Sequence, residues 1–176
     1  HEGTCKAENF FEPEILSEEN ILAVHIKEYF KSLLNLTLDK SAARKIGFPL
    51  SETLVKRGRI ISQGTIDCCE YALKYGIAMN IAGGTHHSYA DHGEGFCLFN
   101  DQAIAAKYLL KKGLANRILI VDLDVHQGNG TAKIFENEDS IFTFSMHGAG
   151  NYPFKKEKSD LDIAVPDGSG DEVYLK

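Results

Sequence analysis

Apolar residues recur at helical spacing at Leu22, Ile26, Tyr29, Phe30, Leu33 and Leu34. One amphipathic helix over residues 18 to about 35, capped by Ser17, is expected. Over residues 37–57 the periodicity fades and Pro49 interrupts it, so this stretch reads as a long surface connection. From Ser62 a helical pattern resumes through Ile66, Cys69, Ala72 and Leu73, and should end at Gly76, where a left-handed terminus costs least. Residues 77–82 are a short apolar run ahead of Gly83 and Gly84 and predict a strand. Residues 101–112 predict a helix ended by Gly113, and residues 117–124 a buried strand that is apolar on both faces. A helix over about 130–135 and strands at 140–146 and 162–165 complete the pattern. Strands and helices alternate as in a parallel sheet covered by helices on both faces, so the fold class is α/β. Ser169 and Glu172 have capping-box spacing, which predicts a helix starting near Gly170, yet the sequence stops at Lys176. With no repeat or linker to divide it, the chain reads as one partial domain over residues 1–176, truncated at both ends.

Composition chiefly excludes partners. With 43% hydrophobic and 25% charged residues, the 176-residue chain has the balance of a compact domain. Its 25 acidic and 19 basic residues leave a net charge of −6, and the basic residues are scattered, which disfavours direct nucleic-acid binding. The apolar stretch 118–121 is far too short to span a bilayer, and no signal-like segment follows His1. Cys5, Cys68, Cys69 and Cys97 form neither a disulfide framework nor a CxxC knuckle, so a reducing compartment, the cytoplasm or the nucleus of a eukaryote, is expected. Cys68 and Cys69 read as small buried groups in a helix.

Chemistry concentrates in three segments. In Asp122-Leu123-Asp124-Val125-His126 an extended backbone would put Asp122, Asp124 and His126 on one face. Two carboxylates and an imidazole at the end of an apolar strand suit a metal, although the aspartates could instead cap the following helix. Gly83-Gly84-Thr85-His86-His87-Ser88 follows another strand pattern. Adjacent histidines on such a loop can be metal ligands or proton-transfer groups, depending on what holds their second nitrogen. In residues 93–101, glycines precede aromatics; Phe99 reads as core, and Cys97 lacks the electropositive setting of a thiol nucleophile because Asp91, Glu94 and Asp101 lie near it in sequence.

Taken together, GGTHHSYADHGEGFCLFND (residues 83–101), RILIVDLDVHQGNG (117–130) and FSMH (144–147) resemble the zinc-dependent histone deacetylase family, densely over residues 58–153. With Asn129 where class I enzymes carry aspartate, the HQGNG stretch looks closer to class IV deacetylases and their bacterial homologues. The resemblance implies an arginase/deacetylase-like fold. It implies that Asp124 and His126 ligate Zn²⁺, with Fe²⁺ an alternative, and that His87 activates the water and protonates the departing amine while His86 is its electrostatic partner. Asp122 matches the position that orients the first histidine and helps bind a structural monovalent cation such as K⁺, and Asn129 matches the one that holds the second. An amide there should raise the basicity of His87 less than a carboxylate would. Phe96 and Tyr152 match the aromatic walls of the substrate tunnel, and Gly95 a tunnel residue whose carbonyl accepts from the substrate amide.

The activity so implied is removal of acetyl or longer acyl groups from lysine in a protein or peptide, by metal-assisted amide hydrolysis. Alternatives are a deacetylase of acetylated polyamines or other small amines, and a non-catalytic relative that binds a partner. The family's third zinc ligand, an aspartate, and its carbonyl-polarising tyrosine lie beyond Lys176. Asp160, Asp162, Asp167 and Tyr174 match other parts of the pattern and read as surface turn residues. Two ligands alone predict weak metal binding and little intrinsic activity.

Overall fold

In the computed structural model, which describes residues 5–176, Ser17 caps a helix as expected by accepting from the Asn20 N–H. The expectation tied to His1 lies outside the described residues. Helix α1 (Glu18–Leu22) nevertheless ends after 5 residues, and α2 (Lys27–Leu34) starts afresh. Two long-range bonds break the expected single helix: the Ile26 N–H donates to the Ala90 carbonyl at 2.9 Å, and the Asn100 N–H donates to His25 Nε2 at 3.0 Å. Each satisfies a polar group between the helices with a partner far along the chain, in place of a further intrahelical bond.

Residues 37–57 are largely helical, contrary to the surface connection expected of them. Asp39 accepts from the Ser41 and Ala42 N–H groups to start α3 (Lys40–Ile46), and Gly47 closes it at φ +84°. Ser51 accepts from the Leu54 N–H to start α4 (Glu52–Tyr75), ten residues before the periodicity at Ser62 suggested. Such caps contribute about 1 kcal/mol each. Burial of Ile46 and Val55 beside Phe30 and Phe99 supplies the remainder, which weak local periodicity conceals. Helix α4 ends at Gly76, φ +90°, as expected.

Residues 77–82 form no strand. Ile77, Met79 and Ile81 are more than four-fifths exposed, and the segment is held instead through Asn80, whose Nδ2 donates to the Ile61 carbonyl and to Thr65 Oγ1. Among the described residues no strand lies beside it to complete a ladder, so apolar alternation alone does not produce one. After α5 (Asp101–Lys111), three strands rather than four among the described residues make a parallel sheet in the order β1 (Ile118–Asp122), β2 (Ile141–Gly148), β3 (Leu161–Val165), with Asp122 level with Ser145. Helix α6 (Asn129–Phe135) crosses from β1 to β2. On one face Ile120 and Ile141 pack with Ala103 and Ala106 of α5 and Phe135 of α6. On the other, Leu119, Val121 and Phe142 are about half exposed, so β1 is buried on one side rather than both. At the end, α7 (Asp171–Tyr174) is preceded by Gly170, and Ser169 donates to the Pro166 carbonyl instead of capping it. Among the described residues no helix is long and apolar enough to cross a membrane.

His25 lies fully inside this packing, between Tyr29 and Phe99. Because Nε2 accepts from Asn100, the proton sits on Nδ1, near the Tyr89 and Ala90 backbone but without a bond of normal geometry. Burial pushes its pKa down from 6.5 to about 4. The unfolded chain therefore takes up a proton that the native state refuses between those values. The stability is complete above pH 6.5 and is lost as pH falls, by roughly 1.4 kcal/mol per pH unit. Urea midpoints should thus fall between pH 7 and pH 5, and a His25→Gln variant, which keeps an acceptor for Asn100, should lose that part of the slope.

Candidate active site

The histidine pair sits on an irregular loop with a buried base, and α5 holds that loop from below. At the start of α5, the fully buried Asp101 carboxylate accepts from the Gly84 N–H (3.0 Å), the Thr85 N–H (2.7 Å), Thr85 Oγ1 (2.6 Å) and Thr65 Oγ1 (2.5 Å). Asn100 caps α5 through the Ala103 N–H and donates with Nδ2 to the Ser88 carbonyl and to Thr131 Oγ1. From α6 the Thr131 N–H donates to the His86 carbonyl at 3.1 Å. A side chain at Gly130 would strike the His86 and Ser88 carbonyls, so only glycine lets α6 approach this closely. His86 and His87 consequently lie side by side, ring centroids 4.1 Å apart and both buried.

Different groups hold the two imidazoles. His86 Nδ1 is 2.5 Å from Asp122 Oδ2, and the other Asp122 oxygen accepts from the Asp124 N–H at 3.0 Å. Both oxygens thus accept from, or lie against, groups of the protein, as an orienting role for Asp122 requires. His87 Nδ1 is 2.6 Å from Asn129 Oδ1, while Asn129 Nδ2 donates to Glu94 Oε1 (2.7 Å) and to Tyr89 Oη (3.0 Å). Tyr152 Oη donates to the same Glu94 oxygen at 2.8 Å, and its ring stands edge-on to His87 at 5.0 Å. Burial holds the His87 pKa below the ordinary imidazole value, with the neighbouring His86 acting in the same sense and Asn129 and Glu94 opposing it.

The strand ends at Asp122, so Asp122, Asp124 and His126 do not share one extended face. Instead the chain turns: Asp124 Oδ1 accepts from the His126 N–H at 2.8 Å and lies 3.0 Å from its Nδ1. The turn leaves Asp122 buried while Asp124 and His126 stay partly exposed, with Asp124 Oδ1 3.9 Å from His86 Nε2 and the His126 ring 5.8 Å from His87. Burial acts to raise the Asp124 pKa, but the His126 N–H and the His86 and His126 imidazoles outweigh it and hold the carboxyl below its ordinary range. The aspartate and histidine thus offer an ionised oxygen and a ring nitrogen at one opening. Among the described residues no group of three His, Cys, Asp or Glu side chains is arranged to hold a metal ion.

Phe96 is exposed at φ +67° and packs against Phe48, whereas Phe99 is core as expected. Gly95 has φ +55°, and a Cβ there would lie 2.5 Å from His87 Cδ2. Burial pushes the Cys97 thiol up to about 12, so it is no nucleophile at neutral pH.

A histidine-pair loop and an Asp-x-His turn meeting at the carboxyl end of a parallel sheet is one arrangement on which the comparisons with known proteins bear directly. The histone deacetylase domain matches residues 1–176, the whole chain. This chain belongs to the histone deacetylase family. A probable deacetylase of Archaeoglobus fulgidus is 32% identical over 99% of this chain and 52% of its own length. An uncharacterized protein of Picosynechococcus sp. is 44% identical over 99% of this chain and 58% of its own. The fold matches an HDAC homolog from Aquifex aeolicus with a TM-score of 0.78 and 26% identity, over 92% of this chain and 49% of that one. An HDAC homolog complexed with SAHA gives the same TM-score of 0.78 and identity of 26%, over 94% and 50%. The deacetylase-family chain therefore has the arginase/deacetylase fold and spans about half the length of these relatives.

Three residues of this site carry no functional reading in the sequence. Glu94 and Tyr89 meet Asn129 across 35 and 40 positions, and Asp101 reaches back 16 to Thr85, separations at which no local pattern marks a partner. Replacing Asp101 with Asn would point an NH₂ group at donors that now find an oxygen. That change should destabilise the protein by about 2–4 kcal/mol in urea unfolding.

Proposed function

We propose that the protein is a metal-dependent deacylase that removes acetyl or longer acyl groups from lysine side chains. The observation that carries this reading is the orientation of His87. Its Nδ1 is occupied by Asn129, which leaves Nε2 as the free nitrogen of a ring that stands edge-on to His126 and Tyr152. Nε2 can take a proton from the attacking water and return it to the departing amine. His86, 4.1 Å away and tied to the Asp122 carboxylate, is its electrostatic partner: it helps to hold the His87 pKa low and so favours the neutral, proton-accepting ring.

Asp124 and His126 suit a cation: one is ionised, the other presents a ring nitrogen 3.0 Å from it, and both face solvent. They would supply two of the donors for Zn²⁺ or Fe²⁺, whose chemistry in such a site is that of a Lewis acid toward an acyl carbonyl. Phe96 and Tyr152 present aromatic surface suited to an uncharged acyl-lysine stem, and the Gly95 carbonyl is the acceptor for the substrate's backbone amide. The relative complexed with SAHA supports a site open to a small ligand.

In the full-length protein, His87→Ala should lower hydrolysis of an acetyl-lysine peptide by roughly 10²-fold or more. Asp124→Ala or His126→Ala should release the metal on dialysis, as read by elemental analysis. An unchanged rate in His87→Ala would reject the base. Rapid turnover of an acetylated polyamine with inert peptides would move the substrate to small amines.

A further inference from the structure

His87 can act as a base at Nε2 only if its proton resides on Nδ1, and the structure shows what decides this. The Asn129 carboxamide has an acceptor end and a donor end, interchanged by a half-turn about its last bond. At one end lies His87 Nδ1, which can be protonated or bare. Tyr89 Oη, at the other, can donate or accept; its proton reaches Glu157 Oε1 only at 3.3 Å, which favours accepting from Asn129 without compelling it. Neither compels one of the two orientations. The remaining neighbour does: Glu94 Oε1, 2.7 Å from Asn129, already accepts from Tyr152 Oη and has only lone pairs to offer. It requires the NH₂ of Asn129 to face it, which turns Oδ1 toward His87 and demands a proton on Nδ1.

We infer that Glu94 is a positioning residue that sets the tautomer of His87 through Asn129. A carboxylate at position 129 would need no such partner, because both of its oxygens accept. With an amide there, the missing acceptor is provided one residue further out, on the Gly93–Gly95 turn that also brings Gly95 against His87. The side chain is suitably placed for this, being 17% exposed and held by the Tyr152 hydroxyl. The inference rests on His87 acting as proposed above, but the tautomer can be measured without turnover.

The test uses the full-length protein labelled with ¹⁵N-histidine, with His87 assigned by its loss in His87→Ala. Long-range ¹H–¹⁵N spectra should show Nδ1 protonated and Nε2 bare in the natural protein. In Glu94→Gln, the amide at 94 can present either end to Asn129, so the Nε2–H form of His87 should appear and kcat should fall roughly 10–100-fold with KM held within about twofold. Adding Asn129→Asp to that variant supplies an acceptor-only group directly and should restore both the tautomer and the rate. His86, bound to Asp122, should be unchanged throughout. The inference is overturned if Glu94→Gln leaves the His87 tautomer intact, if the double variant does not restore it, or if His86 is disturbed equally, since Glu94 would then be merely structural. Should His87→Ala retain full activity while the tautomer follows Glu94, the proposed function falls and the positioning role stands.

Discussion

Placing an irregular loop under a packed core demands that each backbone polar group it buries find a partner, and the architecture of this chain follows from meeting that demand for residues 83–88. Two adjacent side chains at the start of α5 meet most of it. The Asp101 carboxylate gathers the donors of Gly84, Thr85 and Thr65, while Asn100 caps its own helix and reaches the Ser88 carbonyl. Helix α6 completes the set from the other side through Thr131. The loop is therefore clamped between helices, and neither imidazole needs to find its own orientation.

The two histidines then diverge because of what the sheet and α6 place behind them. Asp122, the last residue of β1, gives His86 a charged partner in a buried setting, where such a bond is strong. Asn129, the first residue of α6, gives His87 a neutral one whose direction depends on a second carboxylate, Glu94. The pair of rings is thus electrically asymmetric although the residues are neighbours of the same type. Asymmetry of this kind suits the proton transfer proposed for His87.

Much of this could be read along the chain. Apolar runs and helical patterns mark β1, β2, β3, α5 and α6, and glycines mark the ends of α4 and α5, because these signals are local. Reading failed where distant groups took over the backbone. The helix expected through His25 is split by Ala90 and Asn100, and the apolar alternation at residues 77–82 has no neighbouring strand among the described residues to pair with. Asp39 and Ser51 are local N-cap signals, but weak hydrophobic periodicity and Pro49 mask the helices that they start.

The sequence by itself determined the family, the α/β class and the residue types of the site, because His-His, Asp-x-Asp-x-His and the flanking glycines are contiguous and their chemistry follows from identity and short spacing. Tertiary structure alone decided that Asp122 turns inward while Asp124 and His126 turn outward, since the strand ends between them. It alone brought Glu94, Tyr89 and Tyr152 around Asn129. The physical reason is that a hydrogen bond depends on direction and distance in space, and across 35 residues or more the chain carries no local record of either.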